Sequence, residues 1–234
     1  MRLNVKKNTG AKKAVAVRAL PNARQRVSLL DKAYDEIKHR IITCRYRPGE
    51  VLSEAEISAN LKIGRTPIHQ AIHKLTTDDL ISILPRKGVM VRPVSIDEAI
   101  EIIGVRLLTE GYCARLAAAR ADEAELRQLE RILDSSEEAV EKRDVEKLML
   151  LDREFHDTLS RAAKNKALAD TLRNFHERSL RFWFISLRDR DHHRLVLSQH
   201  RAIVDALRSR DPDAAESAMR EHITAFQKNI THQV

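Results

Sequence analysis

A mainly α-helical protein of two domains is what this sequence predicts, and three observations carry the prediction. Glycine and proline number only 6 each in 234 residues, too few for the frequent tight turns of sandwiches, barrels and glycine-rich parallel sheets. Hydrophobic residues make up 43% and charged residues 32%, with Ala, Leu, Glu and Arg dominant, a balance that suits amphipathic helices around a core. Helical periodicity and capping signals recur from Ser28 onward, over a length that exceeds the usual single domain.

The elements follow in order. Leu29, Leu30, Ala33, Ile37, Ile41 and Ile42 share one face of a first helix that starts near Ser28 and ends by Cys44, before Pro48-Gly49 breaks the pattern. Ser53 and Glu56 form a capping box for a short second helix through Ile57 and Leu61. A third helix follows at once. Thr66 reads as its N-cap and Pro67 as its first helical residue, with Ile68, Ala71, Ile72 and Leu75 as the apolar stripe. Beyond Leu80 the period changes, and two β-branched runs, 81–84 and 89–91, flank Pro85-Arg86-Lys87-Gly88 as a small hairpin with a basic tip. Three helices and a hairpin over residues 28–94 make a winged helix-turn-helix, whose third helix can enter the major groove while the hairpin touches the neighbouring backbone.

Residues 95–232 read as six or seven antiparallel helices forming a bundle. Ser95 with Glu98 and Asp122 with Glu125 look like capping boxes, Asp144 caps a helix running to about Ala163, and Asp211-Pro212 opens the last helix. Asn165 and residues 188–194 are expected breaks. The adjacent pair His192-His193 is expected on the surface or in a loop.

Charge divides the chain further. The net charge of +8 is carried by residues 1–30, which hold eight basic residues and no acid, whereas 31–93 are mildly basic and 94–234 mildly acidic. A basic front on an acidic back suggests a polyanion reader joined to something that is not one. Residues 1–27 are expected to be a disordered basic arm, either following a DNA backbone or solvated without a partner. Cys44 and Cys113 are far apart and form no C-x-x-C, so neither a disulfide framework nor a thiolate metal site is expected, and a reducing cytoplasm is the default. No run approaches the roughly eighteen apolar residues of a membrane span.

The stretch Arg47-Pro48-Gly49-Glu50-Val51-Leu52-Ser53-Glu54, followed by Gly64-Arg65-Thr66-Pro67-Ile68-His69-Gln70-Ala71 and Pro85-Arg86-Lys87-Gly88-Val89, resembles the N-terminal domain of GntR-family transcription regulators. The second half resembles the all-helical FCD effector domain of the FadR branch, through Val105-Arg106-Leu107-Leu108-Thr109-Glu110, Asp152-Arg153-Glu154-Phe155-His156, His200 and His222. The resemblance implies a homodimeric, ligand-responsive regulator on a palindromic operator in double-stranded DNA. It places DNA contacts at Arg65, Thr66, His69 and Gln70 of the recognition helix and at Lys87 and Gly88 of the wing. The family usually opens this helix with Ser-Arg-Thr-Pro-Val-Arg-Glu-Ala, and this chain departs at Gly64, His69 and Gln70. An arginine can fork onto a guanine while a neutral histidine offers one donor or acceptor, so the base preference at His69 should differ.

Asp152 and His156 are four residues apart on one helical face, and His200 and His222 on later helices can point at the same axis in a folded-back bundle. Any one of these histidines alone is an ordinary polar residue of a helix interface. Together, with the FCD spacing, they are expected to hold one divalent transition metal ion per chain, zinc first, with nickel, manganese or iron as alternatives. Three His and a carboxylate could also activate water, as in a metal-dependent hydrolase fused to a DNA-binding module. Against this the chain has no H-E-x-x-H, no glycine-rich phosphate loop and no nucleophile paired with a base, so no enzyme is expected. Arg106 lies in an apolar segment and either pairs with Glu110 one turn on or faces a cavity. The FCD resemblance turns it towards the pocket, where its guanidinium would take a small carboxylate effector.

Overall fold

The computed structural model describes residues 28–93, 95–186 and 190–232, so the basic segment 1–27 lies outside the described residues. The Ser28 hydroxyl accepts the Asp31 N–H and starts α1 (Leu29–Ile42), whose Ala33, Ile37 and Ile41 are buried. After β1 (Val51–Leu52), the Ser53/Glu56 capping box forms in both directions and opens α2 (Glu54–Leu61). Helix α3 (Arg65–Thr77) begins two residues earlier than the sequence suggests. Gly64 is its N-cap, because the Gly64 carbonyl already accepts the Ile68 N–H. Thr66 and Pro67 therefore fall inside the first turn, where a missing proline N–H costs nothing.

The hairpin β2 (Ile81–Leu84) and β3 (Gly88–Val91) pairs antiparallel with Leu84 opposite Gly88. A third strand, β1, adds to the free side of β3 in the order β1-β3-β2; two residues are too short to show a period in sequence. Gly88 adopts φ +110°, and a Cβ there would overlap the Leu52 carbonyl oxygen, so the sheet itself requires this glycine. Ile37, Ile41, Ile57, Ile68, Ile72, Leu75, Val89 and Val91 form one core beneath helices and wing.

Six helices follow among the described residues: α4 (Ile96–Arg120), α5 (Glu123–Lys142), α6 (Val145–Ala162), α7 (Lys166–Ser186), α8 (Arg190–Arg208) and α9 (Pro212–His232). Helix α4 packs along α9, its Ala114, Ala117 and Ala118 permitting close approach, and α5 closes on α6 and α8. Asp122 forms a full capping box with Glu125, and Asp144 and Asp211 cap α6 and α9 as expected. The box at Ser95 is only half made. Its hydroxyl accepts the Glu98 N–H at 3.4 Å, but the Glu98 carboxylate turns away to Arg178. Of the expected break at 188–194, residues 190–194 are instead helical, since α8 starts at Arg190, and residues 187–189 lie outside the described residues. Both cysteines are free, and among the described residues no helix is long and apolar enough to cross a membrane.

Helix α7 grips the winged portion at several points. Glu177 accepts from Lys38 of α1 at 2.5 Å and from Arg153 at 2.7 Å. Arg178 pairs with Glu98 and lies 3.6 Å from Asp79, and Arg181 donates to the Arg92 carbonyl at 2.8 Å. Glu146 of α6 adds contacts to His39 and Arg45.

Candidate metal centre and nucleic-acid interface

The α6 spacing puts Asp152 and His156 on one buried face, α8 supplies His200 and α9 supplies His222. One ligand atom from each of the four lies within 4.8 Å of the others. Asp152 divides its two oxygens. Oδ1 faces the centre, 3.7 Å from His200 Nε2 and 4.0 Å from His156 Nε2, whereas Oδ2 is 3.1 Å from His176 Nε2. His176, from α7, is buried and was not singled out by sequence, because it stands alone in a charged segment with no partner at helical spacing. It acts on Asp152 as an outer partner that fixes which oxygen points inward.

The imidazoles are oriented in the same way. His222 Nδ1 lies 3.1 Å from Gln199 Oε1, an arrangement that favours a proton on Nδ1 and leaves Nε2 unprotonated. His156 Nδ1 is 2.8 Å from Glu110 Oε2, and the Phe155 ring stacks on His200 at 4.0 Å between centroids. His156 Nε2 and His200 Nε2 are buried with no hydrogen-bond partner. Buried nitrogens left in this way are rare in a settled core and are what an absent ligand leaves behind.

Electrostatics agree with a metal-ready set. Burial alone would raise Asp152, but the hydrogen bond from His176 and the surrounding imidazoles hold its carboxyl well below the usual range. Burial pushes His200 down to about 3 against the pull of Asp152. His222 is also pushed well below its ordinary value, by burial first and then by His200 and His156. A carboxylate and neutral imidazoles are the protonation states that ligate, and a mixed oxygen–nitrogen set fits a borderline divalent ion.

A cavity of about 20 Å³ adjoins the centre, lined by Arg106, Asp152, His156, His176, His222 and Phe226 among others. That is room for about one water. Arg106 satisfies both sequence readings at once: its Nε donates to Glu110 Oε1 at 2.5 Å, and the same side chain borders this cavity. A larger cleft of about 650 Å³ runs between α1 and α7, past Lys38, Arg153, Arg173 and Glu177, and reaches His156 and His176. The pair His192-His193 is neither loop nor wholly surface. Both lie in α8, where His193 is buried because α8 turns that face to the bundle.

On the winged side, Arg65, Thr66, His69 and Gln70 form an exposed face on the first two turns of α3. His69 Nδ1 lies 2.9 Å from Glu54 Oε1 of α2, and its Nε2 lies 3.2 Å from that of His73. Glu54 thus presets the ring on the surface. Lys87 is exposed at the wing tip beside Arg86, and Gly88 is placed by the sheet.

Residues 29–91 match the family described as bacterial regulatory proteins, gntR family, and residues 101–225 match the FCD domain. The chain is 30% identical to the HTH-type transcriptional repressor RspR of Escherichia coli K12 over 84% of its own length and 86% of the relative. It is 32% identical to the Nta operon transcriptional regulator of Aminobacter aminovorans, covering 78% and 85%. Among solved structures, E. coli McbR/YncC shares the fold with a TM-score of 0.80 at 20% identity, covering 89% of this chain and 99% of that one.

Proposed function

The chain belongs to the gntR family of bacterial regulatory proteins, with an FCD domain behind its winged helix, and from that membership we propose how this regulator is switched. Residues 28–94 bind a palindromic operator as half of a cytoplasmic homodimer, and residues 95–232 bind a small carboxylate effector at a metal centre. The observation that carries the reading is the buried Asp152–His156–His200–His222 cluster with its partnerless nitrogens beside Arg106. These four residues would hold one divalent ion, zinc by preference, and the ion would supply a fixed positive pole for a carboxylate.

Arg106 is the second pole. Glu110 engages its Nε, so the terminal guanidinium nitrogens are the ones left to fork a bound carboxylate. The adjoining cavity holds about 20 Å³, so an effector of several heavy atoms must displace the walls. Helix α7 forms one wall through His176 and carries the grip on the winged portion in the next residues, Glu177 and Arg178. Displacement there would change the separation of the two recognition helices in the dimer. A ligand acts only through differential affinity for the DNA-competent and incompetent states, so the coupling should be about 1–3 kcal/mol and reciprocal.

A thermal-shift screen of carboxylated metabolites on metal-loaded protein, followed by operator titration with each hit, tests this reading. Arg106→Ala is expected to abolish the hit's effect on DNA binding while ligand-free operator affinity stays nearly intact. An unchanged response at the same ligand concentration would assign Arg106 to structure alone.

DNA contact has its own test. Arg65→Ala should cost about 1–3 kcal/mol on the specific operator if Arg65 reads a base. Neutralising Lys87 should instead weaken all sequences alike and flatten the salt dependence by roughly 0.9 in log–log slope for a lost phosphate contact. Removal of the arm 1–27 is expected to weaken specific and random DNA equally. A monomer bound to a non-palindromic site would remove the basis of this reading.

A further inference from the structure

His69 and His73 lie on the exposed side of α3, apart from the buried cluster. They stand one helical turn from each other, and their Nε2 atoms approach to 3.2 Å. Two imidazole nitrogens on one tetrahedral ion, each roughly 2.0–2.1 Å from the metal, lie about 3.3 Å apart. The helix already presents the pair at ligand spacing. Glu54 of α2 stands behind the first ring, 2.9 Å from His69 Nδ1, and is free for this because Glu56 closes the capping box at Ser53. A carboxylate on Nδ1 favours the proton there and leaves Nε2 unprotonated, the arrangement that outer carboxylates impose on metal-bound histidines. The His69 and Glu54 side chains are 56% and 38% exposed, so an ion can arrive from solvent and complete its shell with water.

We infer that His69 and His73, oriented by Glu54, form a second and exposed divalent-ion site on the reading face of α3, and that an ion bound there competes with the operator. In the structure the rings share one hydrogen bond, which Glu54 polarises so that His73 Nε2 donates to His69 Nε2. Uptake of an ion moves the His73 proton to Nδ1 and gives both Nε2 lone pairs to the metal. Imidazoles with open positions beside them suit zinc, nickel or copper rather than magnesium or calcium. A site of two ligands in solvent holds its ion loosely and empties on desalting, unlike the buried cluster. The competition rests on the reading above that His69 contacts bases. With Nδ1 held by Glu54, Nε2 is the ring nitrogen left to meet a base edge, and the ion takes the same lone pair. Its charge attracts phosphates of any sequence, but its hydration shell fills the space a base edge needs, so specific binding falls while random binding does not. The arginine that the family usually carries at this position has no lone pair to offer a metal, so the site follows from the departure this chain makes there.

The test uses the full-length chain, incubated with zinc and desalted so that the buried cluster has taken what it takes. Calorimetric titration with further zinc should count one ion fewer per chain in His73→Gln than in wild type, and Glu54→Leu should bind that ion at least tenfold more weakly, both with unchanged helical circular dichroism. Fluorescence anisotropy then follows DNA, with an operator selected from random duplexes. Without added zinc His73→Gln should match wild type. Saturating zinc should weaken wild type on the operator at least tenfold, spare its binding to random duplex and leave His73→Gln unmoved. Equal ion counts in wild type and His73→Gln would overturn the site. An ion that is lost with His73 but leaves wild-type operator affinity unmoved would overturn the competition. His69→Ala in the absence of zinc tells the two readings apart: unchanged operator affinity in that variant removes the base contact at His69 and leaves the ion site to its own count.

Discussion

Replacing His200 and His222 together with alanine is expected to remove the bound metal, from about one ion per chain to a trace by elemental analysis of untagged protein, and to make the fold indifferent to chelators. In wild type a chelator should lower stability markedly. An ion present at a thousandfold excess over its dissociation constant contributes about 4 kcal/mol, and all four ligands come from three helices that the ion would tie together. Metal retained by the double variant would refute the ligand assignment. The stripped wild-type chain should also be acid-sensitive, with a definite sign. His200 titrates at about 3 in the fold against an ordinary 6.5, and His222 is likewise depressed, so in this range the unfolded chain binds more protons than the folded one. Stability is therefore complete above pH about 6.5 and is lost as the pH falls towards 3, each such imidazole adding up to about 1.4 kcal/mol per pH unit. Asp152, depressed for the opposite reason, adds a further loss below pH about 4. Urea midpoints of metal-free protein at pH 8, 6 and 5 measure this, and a flat profile contradicts it.

The four proposed ligands were legible because helical spacing makes Asp152 and His156 neighbours whatever the rest of the bundle does, and the FCD resemblance supplied the two later histidines. His176 was not legible. Its partner lies 24 residues away on another helix, and no period connects them. The same limit explains the wing: the β-branched runs announce β2 and β3, but the two residues of β1 are defined by their pairing with β3, about forty residues on. Gly88 entered the reading as a DNA contact at the wing tip, whereas its positive φ and the Leu52 carbonyl give it a backbone reason of its own. Local capping signals read well where a second partner did not draw the acid off its cap, as Lys164, bound to Glu125, does not. At Asp122 the box closed, and at Ser95 it stayed half open because Arg178 of α7 draws Glu98 away. The contacts that join the two portions of the chain, Lys38–Glu177 above all, are long-range ion pairs between helices whose sequences show only a solvated-looking charge.

Those contacts give the second large effect. Glu177→Ala is expected to destabilise the chain by about 3 kcal/mol, the lower end of the range for breaking a buried pair, because the adjoining cleft lets water relieve part of the cost. The variant strands Lys38, whose side chain is 4% exposed and whose remaining contact is the Tyr34 hydroxyl at 2.9 Å. Burial already pulls Lys38 below its ordinary value despite Glu177, and without that carboxylate the ammonium is poorly held. Loss of stability alone would not separate a structural pair from a coupling one. The combined replacement Lys38→Met and Glu177→Leu removes both charges at similar volume and should return most of the stability. It does not restore the charged grip of α7 on α1, so the centre's influence through His176 should no longer reach the recognition helix. Metal and effector should then bind the double variant as they bind wild type while operator affinity, followed by fluorescence anisotropy with and without them, no longer shifts. If that shift survives undiminished, the Lys38–Glu177 pair is structural alone, and the signal from the centre reaches the winged helix by another contact, with Arg178 and Arg181 of α7 and Glu146 of α6 the next to be tested.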